Sequence, residues 1–200
     1  SVTGLAMPAA AGAATITLDR SCYVEQTAMT VTGSGFPAGA NVTLSGGGIF
    51  ETVVADAAGG FATVVAAPIN PTLGAKESDI DEQELQAQFF TDSAQTASAS
   101  YRLTNFAYSV SDATGNPRKK RTFYLAGFPT DSTVYAHYRI GGKTRGVVRF
   151  GKAQGPCGLI TAKQALLPRS IPLRYGTWKI QWDNKRSYDA KALPRLTTNL

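Results

Sequence analysis

Apolar and polar residues alternate with a period of two over many short stretches of this chain, and no stretch sustains a 3.6-residue apolar repeat. The alternation predicts strands over 14–18, 28–33, 41–46, 50–55, 61–67, 85–91 and 97–104. A second series follows at 106–111, 121–127, 133–140, 144–150, 157–162 and 177–182, with almost no helix anywhere. Residues 68–81 hold Pro68, Pro71, a glycine and several charges and read as a long loop, and 166–173, with Pro168 and Pro172, as an edge or loop. In the last strand Trp178, Ile180 and Trp182 alternate with Thr177, Lys179, Gln181 and Asp183, so the three large residues share one buried face.

The two series repeat. Thr30, Gly35, Phe36, Pro37 and Val42 recur 92 residues later as Thr122, Gly127, Phe128, Pro129 and Val134. Each set reads as strand, Gly-Phe-Pro corner, strand, with the phenylalanine plugging the end of a sandwich while the glycine and proline turn the chain. A period of that length fits one immunoglobulin-sized β-sandwich. The fold expected is therefore all-β: two tandem immunoglobulin-like antiparallel β-sandwiches with extended N- and C-terminal arms. The expected division is an arm over 1–13, one domain over 14–105, a second over 106–191 and a tail over 192–200 that leaves the last sandwich.

At these residues a resemblance can be stated. The stretch MTVTGSGFPAGANVTLS, followed by Asp56, Gly59 and Phe61, resembles bacterial immunoglobulin-like domains built on V-x-G-x-G-F-x-x-G-x-x-V, a pattern shared by neocarzinostatin-like and related actinobacterial sandwiches. VYAHYRIGGKTR, FGKAQGPCG and GTWKIQWD are similar to modules of actinobacterial surface proteins. The resemblance implies the fold. It transfers no catalytic or ligand-binding residue, because such sandwiches host many functions.

Charge separates the two series. Residues 1–105 carry three basic and ten acidic side chains, a formal −7, whereas 106–200 carry seventeen basic and four acidic ones, a formal +13. A basic half of this kind calls for an anionic partner, and the acidic half of a neighbouring copy is one candidate. No run of about eighteen apolar residues occurs, so no helical membrane span is expected. Residues 1–14, small and nearly uncharged, read as an arm able to reach a neighbouring subunit rather than as the end of a signal peptide. Cys22 and Cys157, one in each half, read as unpaired and mostly buried thiols, with a bridge between domains as the alternative.

The chain offers no recognisable catalytic set. His137 is its only histidine, and no nucleophile elbow, phosphate loop or HExxH motif accompanies it. The acidic run Glu77, Asp79, Asp81, Glu82 and Glu84 lacks the EF-hand pattern and reads as a solvated loop. No metal and no cofactor are expected.

The better signal is the 133–150 hairpin. A three-residue loop, Gly141-Gly142-Lys143, pairs Ile140 with Thr144, Tyr138 with Gly146, Ala136 with Val148 and Val134 with Phe150, giving one coherently apolar face. The other face then carries Tyr135, His137, Arg139, Arg145, Val147 and Arg149, and sets Arg139 opposite Arg145, an unfavourable pair that an acidic partner would relieve. Arg118, Lys119, Lys120 and Arg121 add a basic loop. Such a surface is open to three readings: solvated without a partner, a protein–protein contact, or a site for nucleic acid or anionic glycan.

Acidic protein surfaces, of neighbouring copies or of a capsid or tail protein, are the expected partners, with anionic glycan next. Nucleic acid is disfavoured by the acidic first half and by the absence of any recognition helix. The function expected is a non-enzymatic structural or accessory surface protein of a larger assembly, most plausibly a phage virion decoration or tail accessory protein. The alternative is a secreted or cell-surface adhesive module binding glycan or cell-wall polymer. Either places the protein outside the cell.

Overall fold

A computed structural model describes residues 13–89 and 95–200. Its strands are β1 (Thr15–Leu18), β2 (Cys22–Val24), β3 (Ala28–Ser34), β4 (Asn41–Gly46), β5 (Ile49–Val54), β6 (Phe61–Ala66), β7 (Asp81–Phe89) and β8 (Thr96–Thr104). They continue with β9 (Tyr108–Val110), β10 (Lys120–Leu125), β11 (Thr133–Ile140), β12 (Lys143–Lys152), β13 (Ile160–Ala165), β14 (Lys179–Asp183) and β15 (Arg195–Asn199). A single 3-10 turn at Glu77–Asp79 is the one helical element among the described residues. The expected arm over 1–13 falls almost wholly outside them.

The protein is all-β, with two immunoglobulin-like sandwiches of the same topology. In the first, β1-β3-β6 form a three-stranded sheet, and β5-β4-β7-β8 line up as four strands of a five-stranded sheet whose fifth, β2, joins beyond β8. In the second, β9-β10-β13 and β12-β11-β14-β15 repeat that arrangement strand for strand. The three-plus-four division follows from the alternation: each strand has one apolar face to bury, and two facing sheets bury both sets at once. Val31, Val42, Leu44, Leu85 and Met29 are fully buried in the first sandwich. Phe123, Leu125, Val134, Tyr138, Ile180 and Trp182 lead the core of the second, and Trp178, Ile180 and Trp182 do point inward together.

The repeated corners agree at the level of single hydrogen bonds. Phe36 and Phe128 are both buried, and Gly35 and Gly127 both take the left-handed backbone, at φ 81° and 86°. Ala40 N–H donates to Pro37 O at 3.1 Å, and Ser132 N–H to Pro129 O at 3.0 Å. Gly39 N–H donates to Ala55 O at 3.0 Å, and Asp131 N–H to Ala153 O at 3.0 Å. Gly39 and Asp131, 92 positions apart, share a left-handed φ of 71° and 65°. Each corner also packs its phenylalanine against another, tilted ring, Phe36 against Phe61 with centroids 5.5 Å apart and Phe128 against Phe106 at 4.7 Å.

By contact the chain forms two units, and the segments alternate between them. The first comprises Ser1–Ser21, Gln26–Ile69 and Glu82–Tyr101; the second comprises Cys22–Glu25, Asn70–Asp81 and Arg102–Leu200. Within the second unit β2 runs parallel to Arg102, Leu103 and Thr104. The long 70–81 loop is fixed there too: Asn70 N–H donates to Glu25 Oε1 at 2.6 Å, and Asn105 Nδ2 donates to Leu73 O at 2.9 Å.

Four expectations need correction. Cys22 and Cys157 are not free thiols: they form a disulfide across 135 residues of sequence, with both ends inside the second unit. Residues 192–200 do not leave the sandwich, since β15 pairs antiparallel with β14 from Lys179↔Asn199 to Asp183↔Arg195 and supplies the edge strand. The strand expected at 157–162 begins at Ile160, because the cysteine is spent in a turn closed by Gly158 N–H donating to Gly155 O at 3.2 Å.

The fourth is the register of the 133–150 hairpin. Ile140 pairs with Lys143 across a two-residue loop, because Gly141 and Gly142 both supply the positive φ, 56° and 74°, that this turn requires. The extra residue is absorbed as a bulge, so Arg139 faces Thr144 while Tyr138↔Gly146 and Ala136↔Val148 stand as expected. A second bulge moves Val134 from Phe150 to Gly151. The Arg139–Arg145 pair is therefore not formed.

Candidate functional site

The outer face of the β12-β11-β14-β15 sheet is where the expected binding residues should gather. Register sets them in rows: Arg149, Tyr135, Asp183 and Arg195; then Val147, His137, Gln181 and Thr197; then Thr144, Arg139, Lys179 and Asn199. The middle of that face is not open. The 184–194 segment folds back over it, and His137, Asp183 and Gln181 are buried as a polar cluster.

The cluster is held by charge-assisted hydrogen bonds. Asp183 Oδ1 accepts from His137 Nε2 at 3.2 Å and from Lys185 N–H at 2.8 Å, and its Oδ2 accepts from Gln181 Nε2 at 2.6 Å. Gln181 Nε2 also donates to Asp189 O at 2.7 Å, which ties the covering segment down. His137 Nε2 faces two acceptors, the carboxylate and Lys185 O at 3.0 Å, so the ring carries its proton there. His137 Nδ1 is buried with no partner. A sealed imidazole with no hydroxyl or thiol on its free nitrogen is not a general base for an external substrate. Both cysteine sulfurs are spent in the disulfide.

Other expected residues serve as internal clamps. Arg121, only 4% exposed, donates to the carbonyls of Asn116 at 2.9 Å, Lys119 at 3.1 Å and Thr114. Arg118 donates to Leu167 O at 2.9 Å, Ile171 O at 2.8 Å and Pro168 O, and so pins the 166–173 loop. Arg139 stacks on the Tyr188 ring, 4.0 Å from its centroid, and donates to Tyr188 Oη at 2.6 Å. Tyr135 is half-buried, whereas Lys119, Lys120 and Arg149 remain exposed.

What the sheet does present is its hairpin end. One depression of about 220 Å³ is lined by Arg139, Ile140, Lys179 and Asn199 among others. Another of about 370 Å³ is lined by Ile140, Gly141, Arg145, Arg174 and Tyr175. Tyr175 is fully exposed and Leu173 is 61% exposed. Arg174, Tyr175 and Lys179 were not among the residues expected from sequence: the first two follow directly on the loop expected at 166–173, and the third was read only as a strand residue. The end of the sandwich thus offers guanidinium and ammonium groups beside an uncovered aromatic ring. The second unit as a whole holds nineteen basic and eight acidic side chains, a formal +11, and the first one basic and six acidic, a formal −5.

No protein-family model matches the chain, and no curated protein matches it in sequence. Solved structures do. The chain is similar to a structure described as a Ca2+-stabilized adhesin that helps an Antarctic bacterium reach out and bind ice, at 14% identity and a TM-score of 0.35, over 96% of this chain and 48% of that one. It is similar to the human OSCAR ligand-binding domain at 11% identity and a TM-score of 0.31, over 94% of this chain and 95% of that one. It is also similar to a tetra-tandem repeat in the extending region of a large adhesion protein, at 14% identity and a TM-score of 0.32, over 94% of this chain and 48% of that one. The chain spans about half the length of the two adhesion-protein structures.

Proposed function

We propose that the protein is a secreted or cell-surface adhesive module whose second unit binds an anionic glycan or cell-wall polymer through its hairpin end. The observation that carries this reading is the gathering of Arg145, Arg174 and the exposed Tyr175 round one depression, with Arg139 and Lys179 lining the next. Cations recruit a polyanion, and an uncovered aromatic ring gives it an apolar surface to lie on. The Cys22–Cys157 disulfide supports an oxidising compartment, the normal setting for such a bond. The like-charge pair that favoured an acidic protein partner is not formed, and no feature of the fold favours a virion role over a cell-surface one.

The test is binding to polygalacturonate, with neutral dextran as the comparison. Binding should weaken as salt rises, because exposed charges are screened beyond about 8 Å at physiological ionic strength. R145E/R174E should lower affinity for polygalacturonate at least about tenfold, the equivalent of roughly 1.4 kcal/mol. Equal retention of the variant, or equal binding to dextran, would refute the reading. A salt-sensitive dimer without polymer binding would instead assign the basic end to the acidic unit of a second copy.

A further inference from the structure

Two strands in equivalent places of the two sandwiches are built differently. β5 ends the order β5-β4-β7-β8 in the first, and β12 ends β12-β11-β14-β15 in the second. An open edge is a template for another strand, and basic side chains and bulges are common means of spoiling it. β12 has both: Lys143, Arg145, Arg149 and Lys152 along its length, and two bulges against β11. β5 has neither. It pairs with β4 without a register shift from Asn41↔Val54 to Gly46↔Ile49, and Glu51 is its one charge. Phe50 is 78% exposed and Val54 63%, and no strand lies beyond β5 among the described residues.

The backbone decides which residues this edge offers. Ala55 N–H donates to Ala40 O at 2.9 Å, on the β4 side. Along a regular antiparallel strand the backbone groups of successive residues face opposite sides. Those of Glu51 and Val53 therefore face β4, and those of Phe50, Thr52 and Val54 face away from it. Phe50 and Val54 lie at equal distances either side of Thr52. An antiparallel copy of β5 on a two-fold axis at Thr52 sets Phe50 opposite the partner's Val54, Thr52 opposite the partner's Thr52 and Val54 opposite the partner's Phe50. Each of these pairs can exchange two N–H···O bonds. A register shifted by two residues loses one of the pairs. Aromatic–β-branched and Thr–Thr pairs are favourable across strands. Glu51 then lies opposite the partner's Val53, so no like charges meet directly.

We propose that β5 is a self-association edge, which pairs two-fold with β5 of a second copy and continues the sheet from one first sandwich into another. A second copy fits better than an unrelated strand because the exposed apolar residues and the lone carboxylate are complementary to themselves about Thr52. The contact is small: six residues make an edge about 20 Å long. That is well short of the roughly 1,200 Å² buried in standard interfaces, so the dimer is weak and concentration-dependent. Pairing brings together two first units of formal −5, on chains that each carry +6 overall. Salt screens both repulsions and so strengthens this dimer. A contact between the basic end and the acidic unit of another copy would respond to salt in the opposite direction. The proposal does not rest on the adhesive reading above.

The experiment is sedimentation equilibrium of the full chain from about 10 μM to about 1 mM, the range of weak association, at low and high salt. Two-dimensional 15N NMR spectra are taken at both ends of that range. A reversible dimer should form, tighter at high salt, with concentration-dependent shifts at the Phe50, Thr52 and Val54 amides. Thr52→Pro removes an N–H that faces away from β4, a position where an edge strand tolerates proline. It should weaken the dimer at least about tenfold, its fold checked by unchanged β4 amides. Phe50→Thr should weaken the dimer too, and Val147→Thr on β12 should leave it as it was. A chain that stays monomeric at about 1 mM and high salt would overturn the proposal. So would a dimer that Thr52→Pro leaves intact. A dimer that loosens as salt rises would equally refute it, and would assign the contact to the basic end instead.

Discussion

Gly158 lies so close against the carbonyl oxygen of Phe128 that a Cβ placed on it would overlap that oxygen. The backbone there is also left-handed, at φ 61°. Gly59 stands in the same relation to the Phe36 carbonyl in the first sandwich, so each buried phenylalanine corner is closed by a glycine from the turn before the next strand. Gly158→Ala should therefore destabilise by more than the roughly 1–3 kcal/mol of backbone strain alone. Gly115→Ala is the control, since Gly115 is also left-handed, at φ 78°, but has open space round it. Chemical denaturation of both variants gives the comparison; equal losses would show that the close approach to Phe128 contributes nothing.

Reduction of the disulfide should lower the stability of the second unit by about 2–4 kcal/mol, the usual contribution of a native bridge. The measurement is a denaturation midpoint with and without reductant, repeated on C22S/C157S. An unchanged midpoint in the variant would mean that the β2 pairing and the 70–81 segment hold without the sulfurs.

Burial pushes the Tyr138 hydroxyl well above the ordinary tyrosine value of 10.0. A group whose folded pKa is raised lends stability that is fully present below its unfolded pKa. Stability should therefore hold up to about pH 10 and then fall as the unfolded chain releases a proton that the folded chain keeps. Tyr138→Phe should lessen that decline. Titration of phenolate absorbance in the protein and in Tyr138→Phe, alongside circular dichroism, checks it, with Tyr138 expected to ionise only on alkaline unfolding.

Asp183 accepts three hydrogen bonds inside the polar cluster, so Asp183→Ala leaves the Lys185 amide without its acceptor and takes one acceptor each from His137 and Gln181. The expected loss is on the order of 3 kcal/mol. Faster hydrogen exchange at the Lys185 amide should accompany it. Loss of stability without faster exchange there would separate the cluster from the folding of the covering segment.

The fold was legible because strands and corners are local. Thr-Val-Thr alternation, Gly-Phe-Pro turns and Trp178-x-Ile180-x-Trp182 each depend on neighbours a few residues away. What sequence could not show depends on distance or on competing backbone demands. The 135-residue separation of the cysteines carries no spacing signal. In the hairpin, side-chain patterning favoured a three-residue loop, but Gly141-Gly142 closes a tighter one and the mismatch is taken up as a bulge at Arg145. His137 and Arg121 read as surface residues because polar side chains usually are; each is buried with its partners supplied by segments that pattern alone does not place. The basic end was partly visible in Arg139 and Arg145, whereas Arg174 and Tyr175 join it only through the path of the 166–177 loop.

The alternation of segments between the two units sets a timetable for synthesis. Cys22 leaves the ribosome long before Cys157, and the 70–81 segment before β9 to β15, so the second unit cannot close until β15 has emerged. Until Cys157 has been added Cys22 lacks its partner, and a chain stopped short of residue 157 keeps it so. A fragment cut at the charge boundary, 106–200, would lack Cys22, β2 and the 70–81 segment, while carrying an unpaired Cys157. The second unit is therefore not an excisable cassette, and dissecting its binding requires the uncut chain.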